Sequence, residues 1–182
     1  MPDGNVLNQP RIAPLPPSAR DADVQELLAG AGPYGGNNVF TTMVRHPRLY
    51  KRWLPWGTAM LYARLPARDR ELLILRTAHR CGSVYEWTQH VEIAAAASIS
   101  DAEIQHVQAG PSHADWSAFD AALLRAVDEL LDEHTISDRT WQTLADRYDE
   151  SLLIEVPMVV GHYFTMALTF NALGVQPESA KD

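Results

Sequence analysis

The stretch that most restricts the fold lies between residues 115 and 131. Its apolar side chains recur at intervals of three and four residues, which places them on one face of a helix. The members of this stripe are Phe119, Ala122, Leu123, Ala126, Val127, Leu130 and Leu131. Most other segments after residue 20 favour helix as well, and no convincing alternation of β-branched and polar residues is present. The sequence therefore predicts an all-α fold.

Glycine, proline and capping residues divide the chain into about eight helices. The predicted segments are residues 23–29, 39–45, 48–64, 68–80, 83–98, 139–148 and 151–173, with further starts at 101 and 115. Ser100 and Glu103 form a capping-box pattern, and Gly174 is a natural C-terminal cap. Pro157 predicts a kink or a late start in the last helix, because proline cannot donate a helical hydrogen bond.

The domain organisation is simple. Residues 1–20 are rich in proline and predict an extended N-terminal arm, either loose or laid across a neighbouring subunit. Residues 21–182 predict one helical domain, with no internal repeat and no second linker.

Composition excludes several classes of function. Hydrophobic residues make up 46% of the chain and charged residues 21%, with a formal net charge of −8, as in soluble globular proteins. Nucleic acids and anionic membranes select clustered basic residues, so we expect neither as a partner. The apolar run 156–168 is shorter than the ~20 residues that span a bilayer, and it fits a buried core helix better. The sequence shows no secretory signal and one cysteine, Cys81, so we expect a cytoplasmic protein without an internal disulfide.

Chemically useful residues concentrate in segment 83–90, just after a predicted helix–helix turn at Cys81 and Gly82. Glu86 and His90 are four residues apart, so they share one face of a helix and can touch. A carboxylate beside an imidazole is the minimal arrangement for moving a proton, because it fixes the tautomer and raises the basicity of the ring. This pair is the candidate site, although it specifies no reaction.

Structural roles compete for the same residues. Ser83 and Glu86 also match a capping box, which would stabilise the start of a helix without any catalysis. Glu71 interrupts an apolar helix, where it either pairs with Arg68 or serves as a buried functional acid. A histidine such as His90 is, by itself, more often an ordinary partly buried residue.

We expect no metal site. Glu86 and His90 supply two ligands, whereas a working zinc site uses at least three protein ligands. Most of the remaining histidines are scattered along the chain without tight spacing: His79, His106, His113, His134 and His162. A serine-hydrolase site is not expected either, since Ser83 lies in no Gly-x-Ser-x-Gly elbow.

The same region resembles the carboxymuconolactone decarboxylase family, which includes the AhpD-like alkylhydroperoxidases. The resemblance rests on Arg-Glu-Leu at 70–72, on Tyr-Glu-Trp-x-x-His at 85–90, and on the segment 99–104. The recognisable pattern covers roughly residues 37–110, and the tail 161–174 is similar to that of single-domain members. The resemblance implies an all-helical AhpD-like domain that forms a homotrimer or homohexamer, with active sites near subunit interfaces.

The departures from the family pattern are informative. In the peroxidase members a Cys-x-x-Cys pair precedes the histidine, and the matching positions here are Ser83 and Glu86. Glu71 and His90 fall at the upstream glutamate and at the histidine of the family. Cys81 matches neither redox cysteine, so the dithiol cycle cannot run. The resemblance therefore implies the proton-transfer chemistry of decarboxylase-type members, which use no cofactor or metal.

The first functional hypothesis is a cofactor-independent lyase or decarboxylase-like enzyme that acts on a small organic acid or lactone in aromatic-compound catabolism. His90 would be the general acid/base, Glu86 would orient it, and Glu71 would be a second acid or a relay. Substrate contacts are expected from three further residues of the motif: Tyr85, Ser83 and Trp87. A decarboxylation also favours a cation near the departing carboxylate, for which Arg76 is one candidate.

Two other hypotheses remain open. One is a thiol-dependent peroxidase or redox sensor that uses Cys81 alone with an external resolving thiol, and a low Cys81 pKa would support it. The other is a non-catalytic oligomeric scaffold or ligand-binding protein. A Glu71 paired with arginine and a Glu86 that only caps its helix would support the scaffold.

Overall fold

The computed structural model describes residues 7–178, which contain helices and no strands. Within these residues, nine α-helices run in the order α1 Ala22–Ala29, α2 Asn38–Met43, α3 Pro47–Leu61, α4 Ala67–Arg80, α5 Val84–Ala96, α6 Asp101–Ala109, α7 Ala118–Asp132, α8 Asp138–Ala145 and α9 Glu150–Leu173. Short 3-10 helices occupy Pro17–Ala19 and Gly32–Tyr34. The predicted all-α fold is confirmed.

Helix α4 is the centre of the packing. It contacts α5, α6, α7 and α9, and its run Leu72, Leu73, Ile74 and Leu75 is fully buried. The helix is buried from Glu71 to Ala78, including the polar residues Arg76 and Thr77, so other helices cover it on every side. The main hydrophobic core forms around it, and a second, smaller core joins α1, α2 and α3 to the C-terminal half of α9.

Most helix ends follow their predicted caps. Ser100 and Glu103 form a complete capping box at α6, and Gly174 ends α9 in the left-handed conformation at φ 70°. Helix α7 differs from the prediction, since it begins at Ala118 rather than near residue 115. The cause is Ser117, whose hydroxyl accepts the Asp120 backbone N–H and so occupies the N-cap position.

Helix α9 is one continuous element of 24 residues, and it passes through Pro157. The alternative of a late start is wrong, because the Asp149 side chain caps the helix well before the proline. Among the described residues, α9 is the one helix long and apolar enough to cross a membrane, and 44% of its apolar window is buried. It packs against α3, α4, α5, α7 and α8, which makes it a core helix of this domain.

The described part of the proline-rich arm, residues 7–20, is bound to its own chain. The Leu15 N–H donates to the Thr41 carbonyl at 2.9 Å, and the Arg11 N–H donates to the Leu173 carbonyl at 2.9 Å. The Arg45 guanidinium donates to the Ala13 carbonyl at 2.7 Å. These bonds hold the arm against α2 and the end of α9.

Candidate active site

Three titratable side chains meet between α4 and α5. The Nδ1 atom of His90 lies 2.7 Å from Glu71 Oε2, and its Nε2 atom lies 3.4 Å from Glu86 Oε2. Each nitrogen of the imidazole therefore faces a carboxylate. Because a carboxylate accepts hydrogen bonds, the close contact assigns the Nδ1 proton to the bond with Glu71.

A short helix–helix connection creates this arrangement. Gly82 has φ 60°, a conformation that glycine adopts at low cost, and the Ser83 N–H closes the turn on the Ala78 carbonyl at 2.9 Å. Helix α5 thereby folds back against α4. The i,i+4 spacing of Glu86 and His90 then aims both side chains at Glu71.

Burial controls the electrostatics of the site. Glu71 is 0% exposed, Glu86 6% and His90 5%. Burial raises the pKa of Glu86 to about 7, although the charge of His90 opposes the rise. Burial alone would lower the pKa of His90, but the hydrogen bond to Glu71 and the charges of both carboxylates outweigh it and raise the pKa. Both groups of the Glu86–His90 pair therefore hold protons more tightly than in water.

The capping interpretation of Ser83 and Glu86 is wrong. Ser83 occupies the N-cap position of α5, but its side chain makes no capping hydrogen bond, and its hydroxyl is buried without a hydrogen-bond partner. The Glu86 carboxylate turns toward His90 instead of toward the Ser83 backbone. The structure thus places Glu86 in the site, whereas Ser83 is a buried residue at the start of α5.

The pairing of Glu71 with Arg68 is also wrong. Arg68 forms ion pairs with Glu103 at 2.6 Å and Asp120 at 3.3 Å, on other helices. The arginine that contacts Glu71 is its neighbour Arg70, whose Nε lies 3.5 Å from Oε1. Glu71 is therefore a buried acid with a weak arginine contact on one oxygen and a short histidine contact on the other.

Two residues on α9 border the site and were not predicted from the sequence. The Tyr163 ring packs edge-on against His90, with centroids 4.9 Å apart, and His162 packs edge-on against Tyr163 at 5.1 Å. Burial, together with Glu86 and Glu71, raises the Tyr163 pKa well above its usual range. Burial and the charge of His90 lower the His162 pKa to about 4. The sequence signal for these residues was the adjacent pair His162 and Tyr163 within the mostly apolar run 156–168.

The predicted substrate-contact residues are dispersed. The Tyr85 hydroxyl donates to Glu178 at 3.1 Å, and its ring packs against Phe170. The Trp87 ring packs against His79 in the main core, with centroids 5.8 Å apart. The structure does not bring these side chains together with Ser83 around His90.

Cys81 and Arg76 both lie outside the Glu71–His90–Glu86 group. Burial raises the Cys81 pKa to about 11, against the opposing charge of Arg80, so the thiol stays protonated at neutral pH. The Arg76 guanidinium binds Asp128 through two bonds of 2.8 and 2.9 Å and the Val107 carbonyl at 2.8 Å. Neither residue contacts the Glu71–His90–Glu86 group.

The site is enclosed within the single chain. Two surface clefts of about 350 Å³ each are lined by residues of α1 and α3 or of α3 and its N-cap, and neither cleft includes Glu86 or His90. Enclosure strengthens electrostatic interactions inside the site. Only a small part of the His90 and Glu86 side chains is open to solvent.

Comparison with known proteins agrees with this architecture. Residues 47–131 match the family model described as the carboxymuconolactone decarboxylase family. That segment contains α4, α5 and all three residues of the site. A search of curated proteins finds no significant match.

Several solved structures share the fold. The debrominase Bmp8, in a cysteine-to-alanine variant bound to 2,3,4-tribromopyrrole, is similar with a TM-score of 0.76 at 16% identity, covering 97% of this chain and 95% of that one. An uncharacterised peroxidase-related protein with an AhpD core from Ralstonia eutropha JMP134 has a TM-score of 0.77 at 15% identity, covering 92% and 93%.

A third similar structure is a protein of unknown function from Agrobacterium tumefaciens, a candidate AhpD antioxidant defence protein. It has a TM-score of 0.67 at 17% identity and covers 74% of this chain and 94% of that one. At these identities the likeness establishes the fold alone. The family model and the fold together confirm the resemblance: this chain carries the carboxymuconolactone decarboxylase family pattern over residues 47–131 on an AhpD-like helical domain.

Proposed function

We propose that this protein is a cofactor-independent lyase, decarboxylase-like in type, that acts on a small organic acid or lactone by general acid/base catalysis. The observation that carries the proposal is the imidazole of His90 between two buried carboxylates, with contacts of 2.7 Å to Glu71 and 3.4 Å to Glu86. A role in the breakdown of aromatic compounds is part of the same proposal.

Glu71, His90 and Glu86 have different roles in the proposed proton transfer. Glu71 accepts a hydrogen bond from the His90 Nδ1–H and so fixes the tautomer of the ring. The Nε2 atom then exchanges a proton with Glu86 or with substrate. With its pKa raised to about 7, Glu86 is close to the value at which an acid both donates and accepts protons at neutral pH. Perturbed acids and bases of this kind are typical of active sites.

A decarboxylation would use this pair at one step. The bond between the substrate carbon and its carboxylate breaks, carbon dioxide leaves, and the electron pair enters an enolate of the adjacent carbonyl. A proton from His90 or Glu86 is then added to the carbon, and water returns a proton to the site. Arg70, the arginine that contacts Glu71, is better placed than Arg76 to offset the negative charge.

The enclosure of the site fits this chemistry. A dry site makes hydrogen bonds to a developing enolate stronger than they are in water. The Tyr163 ring covers one side of His90, and its protonated hydroxyl is a suitable donor to such an enolate.

A soaked crystal structure tests the proposal. The protein is exposed at neutral pH to an unsaturated γ-lactone that bears a carboxylate. We expect the acidic carbon within about 3.5 Å of His90 Nε2 or a Glu86 oxygen. Ligand found only in the cleft lined by Tyr50, Lys51 and Leu54 would overturn it.

We further propose that the enzyme is a cytoplasmic homo-oligomer, a trimer or a hexamer. Support comes from the outer face of α9, where large apolar side chains are exposed: Ile154 at 63%, Leu168 at 53%, Met158 at 42% and Phe164 at 39%. Contiguous exposed apolar side chains mark association surfaces in soluble proteins. Since α9 also carries Tyr163, association would place an interface on the helix that borders the site.

A further inference from the structure

We propose that His106, His113 and Asp115 form a binding site for a divalent transition-metal ion of the zinc class, separate from the acid/base site. One ligand atom from each residue lies within 4.8 Å of the other two. Asp115 Oδ2 is 3.7 Å from His106 Nε2 and 3.9 Å from His113 Nδ1. These separations are too long for hydrogen bonds, and side-chain rotations would bring the three atoms to coordinating distance of one ion.

The donor set suits such an ion. Imidazole nitrogen and carboxylate oxygen are ordinary zinc ligands, and three protein ligands leave a fourth position for water. The rings of His106 and His113 stack with centroids 3.7 Å apart and planes 18° apart. Because imidazole lone pairs lie in the ring plane, one ring must turn out of this stack before both nitrogens face the same ion.

The first ligand sits on a fixed helix end. His106 belongs to the last turn of α6, and Arg76 of α4 donates to the Val107 and Gln108 carbonyls at 2.8 and 3.2 Å. Arg76 is itself held by two bonds to Asp128. The position of His106 therefore depends on a buried network and not on the solvent.

The loop that carries the other two ligands is fixed at both ends. Gly110 has φ 94°, and a Cβ there would lie 3.0 Å from the Arg76 guanidinium. At the other end, the buried Trp116 donates its indole N–H to the Gly110 carbonyl at 3.1 Å. A loop tied in this way presents His113 and Asp115 with little freedom to lose on binding.

The environment of the ligand atoms favours entry from one side. His106 Nδ1 is buried, so Nε2 is the nitrogen that faces Asp115. The Asp115 side chain is 70% exposed, which leaves room for an ion to arrive and for water to complete its coordination. The Asp115 N–H donates to His113 Nδ1 across a long 3.4 Å, a bond that an ion at this atom would replace.

Calorimetric titration of the tag-free, chelator-treated full chain with zinc chloride tests the site. We expect one zinc ion per chain, and at least about tenfold weaker binding in His113→Ala. His134→Ala is the matched control, because His134 is exposed and outside the cluster, and it should bind zinc like the wild type. Asp115→Asn is a second variant at an exposed position, which lessens the risk of a folding defect.

Anomalous diffraction at the zinc edge locates the ion directly. The expected result is a peak between His106, His113 and Asp115. Equal zinc affinity in wild type, His113→Ala and Asp115→Asn, or an anomalous peak at other residues, would overturn the proposal. Neither readout depends on catalytic turnover, so the outcome is independent of the proposed enzyme function.

Discussion

His90 Nδ1 lies 2.7 Å from Glu71 Oε2, a buried contact that joins α4 to α5 across 19 residues of sequence. It is the shorter of the two carboxylate contacts of the imidazole, and it leaves Nε2 directed at Glu86. A hydrogen bond of this length to a buried carboxylate both orients the ring and stabilises its protonated form. The orientation and the pKa of His90 therefore depend on Glu71 as much as on Glu86.

Replacing Glu71 with glutamine tests this dependence. Gln removes the negative charge but keeps the shape, so burial then dominates and the pKa of His90 should fall. Turnover should fall by about 10²-fold. NMR titration of the His90 ring measures the first effect. Glu92→Gln, at an exposed position of α5, is the control and should change neither quantity.

Stability should depend on pH through Glu86. Its pKa is raised by burial from 4.5 to about 7, so the folded state keeps a proton that the unfolded state has lost. The contribution of this group to the free energy of unfolding therefore falls as pH rises from about 4.5 to about 7, by about 3 kcal/mol at most. In Glu86→Gln this dependence disappears.

Urea denaturation of wild type and Glu86→Gln across that pH range measures the difference. Subtraction is necessary because His162, whose pKa is lowered to about 4, acts in the opposite direction between about pH 4 and 6.5. We expect the variant to gain stability over the wild type as pH rises. A difference that stays constant with pH would show that Glu86 is an ordinary ionised carboxylate.

Cys81→Ser should leave turnover unchanged. Burial raises the thiol pKa to about 11, so almost no thiolate is present at neutral pH. We also expect slow reaction of the wild-type protein with a chromogenic disulfide and no consumption of peroxide. Rapid thiol reaction near pH 7, or turnover lost in Cys81→Ser, would favour the thiol-dependent alternative.

The stability losses of two serine-to-alanine variants distinguish a serine that caps a helix from one that does not. Ser100→Ala removes a complete capping box and should cost about 1 kcal/mol of stability. Ser83→Ala removes a buried hydroxyl that caps nothing, so it should cost less than about 0.5 kcal/mol. Denaturant midpoints measure both. A loss in Ser83→Ala equal to that in Ser100→Ala would restore the capping role of Ser83.

Charge placed on the outer face of α9 should disrupt the proposed oligomer. Ile154→Glu and Leu168→Glu each put a carboxylate into an exposed apolar stripe, where burying it against a second chain is costly. Light scattering should show a trimer or hexamer for the wild type and smaller species for the variants. Gln105→Glu adds the same charge at an exposed position of α6 and should leave the assembly intact.

Local rules predicted most of the fold. The capping box at Ser100, the glycine end at Gly174 and the apolar stripe of α7 involve residues close in sequence, so spacing determines them. Helix α7 was predicted to begin near Asp115, but it begins after Ser117 because the Ser117 hydroxyl caps it. At Ser83 the capping-box pattern predicted a cap that the structure lacks. The pattern does not specify the direction of the Glu86 carboxylate, which faces His90.

Only some of the contacts in the candidate site could be predicted from the sequence. The i,i+4 spacing of Glu86 and His90 predicts their contact, but the packing of α9 decides that Tyr163 covers His90. The His106–His113–Asp115 cluster was missed for a similar reason. Its residues straddle a helix end and a loop, where sequence spacing does not determine distance.

The most direct test of the central claim is hydrogen exchange at carbon. A carboxylate-bearing γ-lactone is incubated with the protein in D₂O, and proton NMR follows loss of the signal next to the carbonyl. We predict exchange catalysed by the wild type and by His134→Ala, and a rate at least about 10²-fold lower in His90→Ala. Exchange in His90→Ala at the wild-type rate, or none with the wild type across a panel of such acids, would contradict the account.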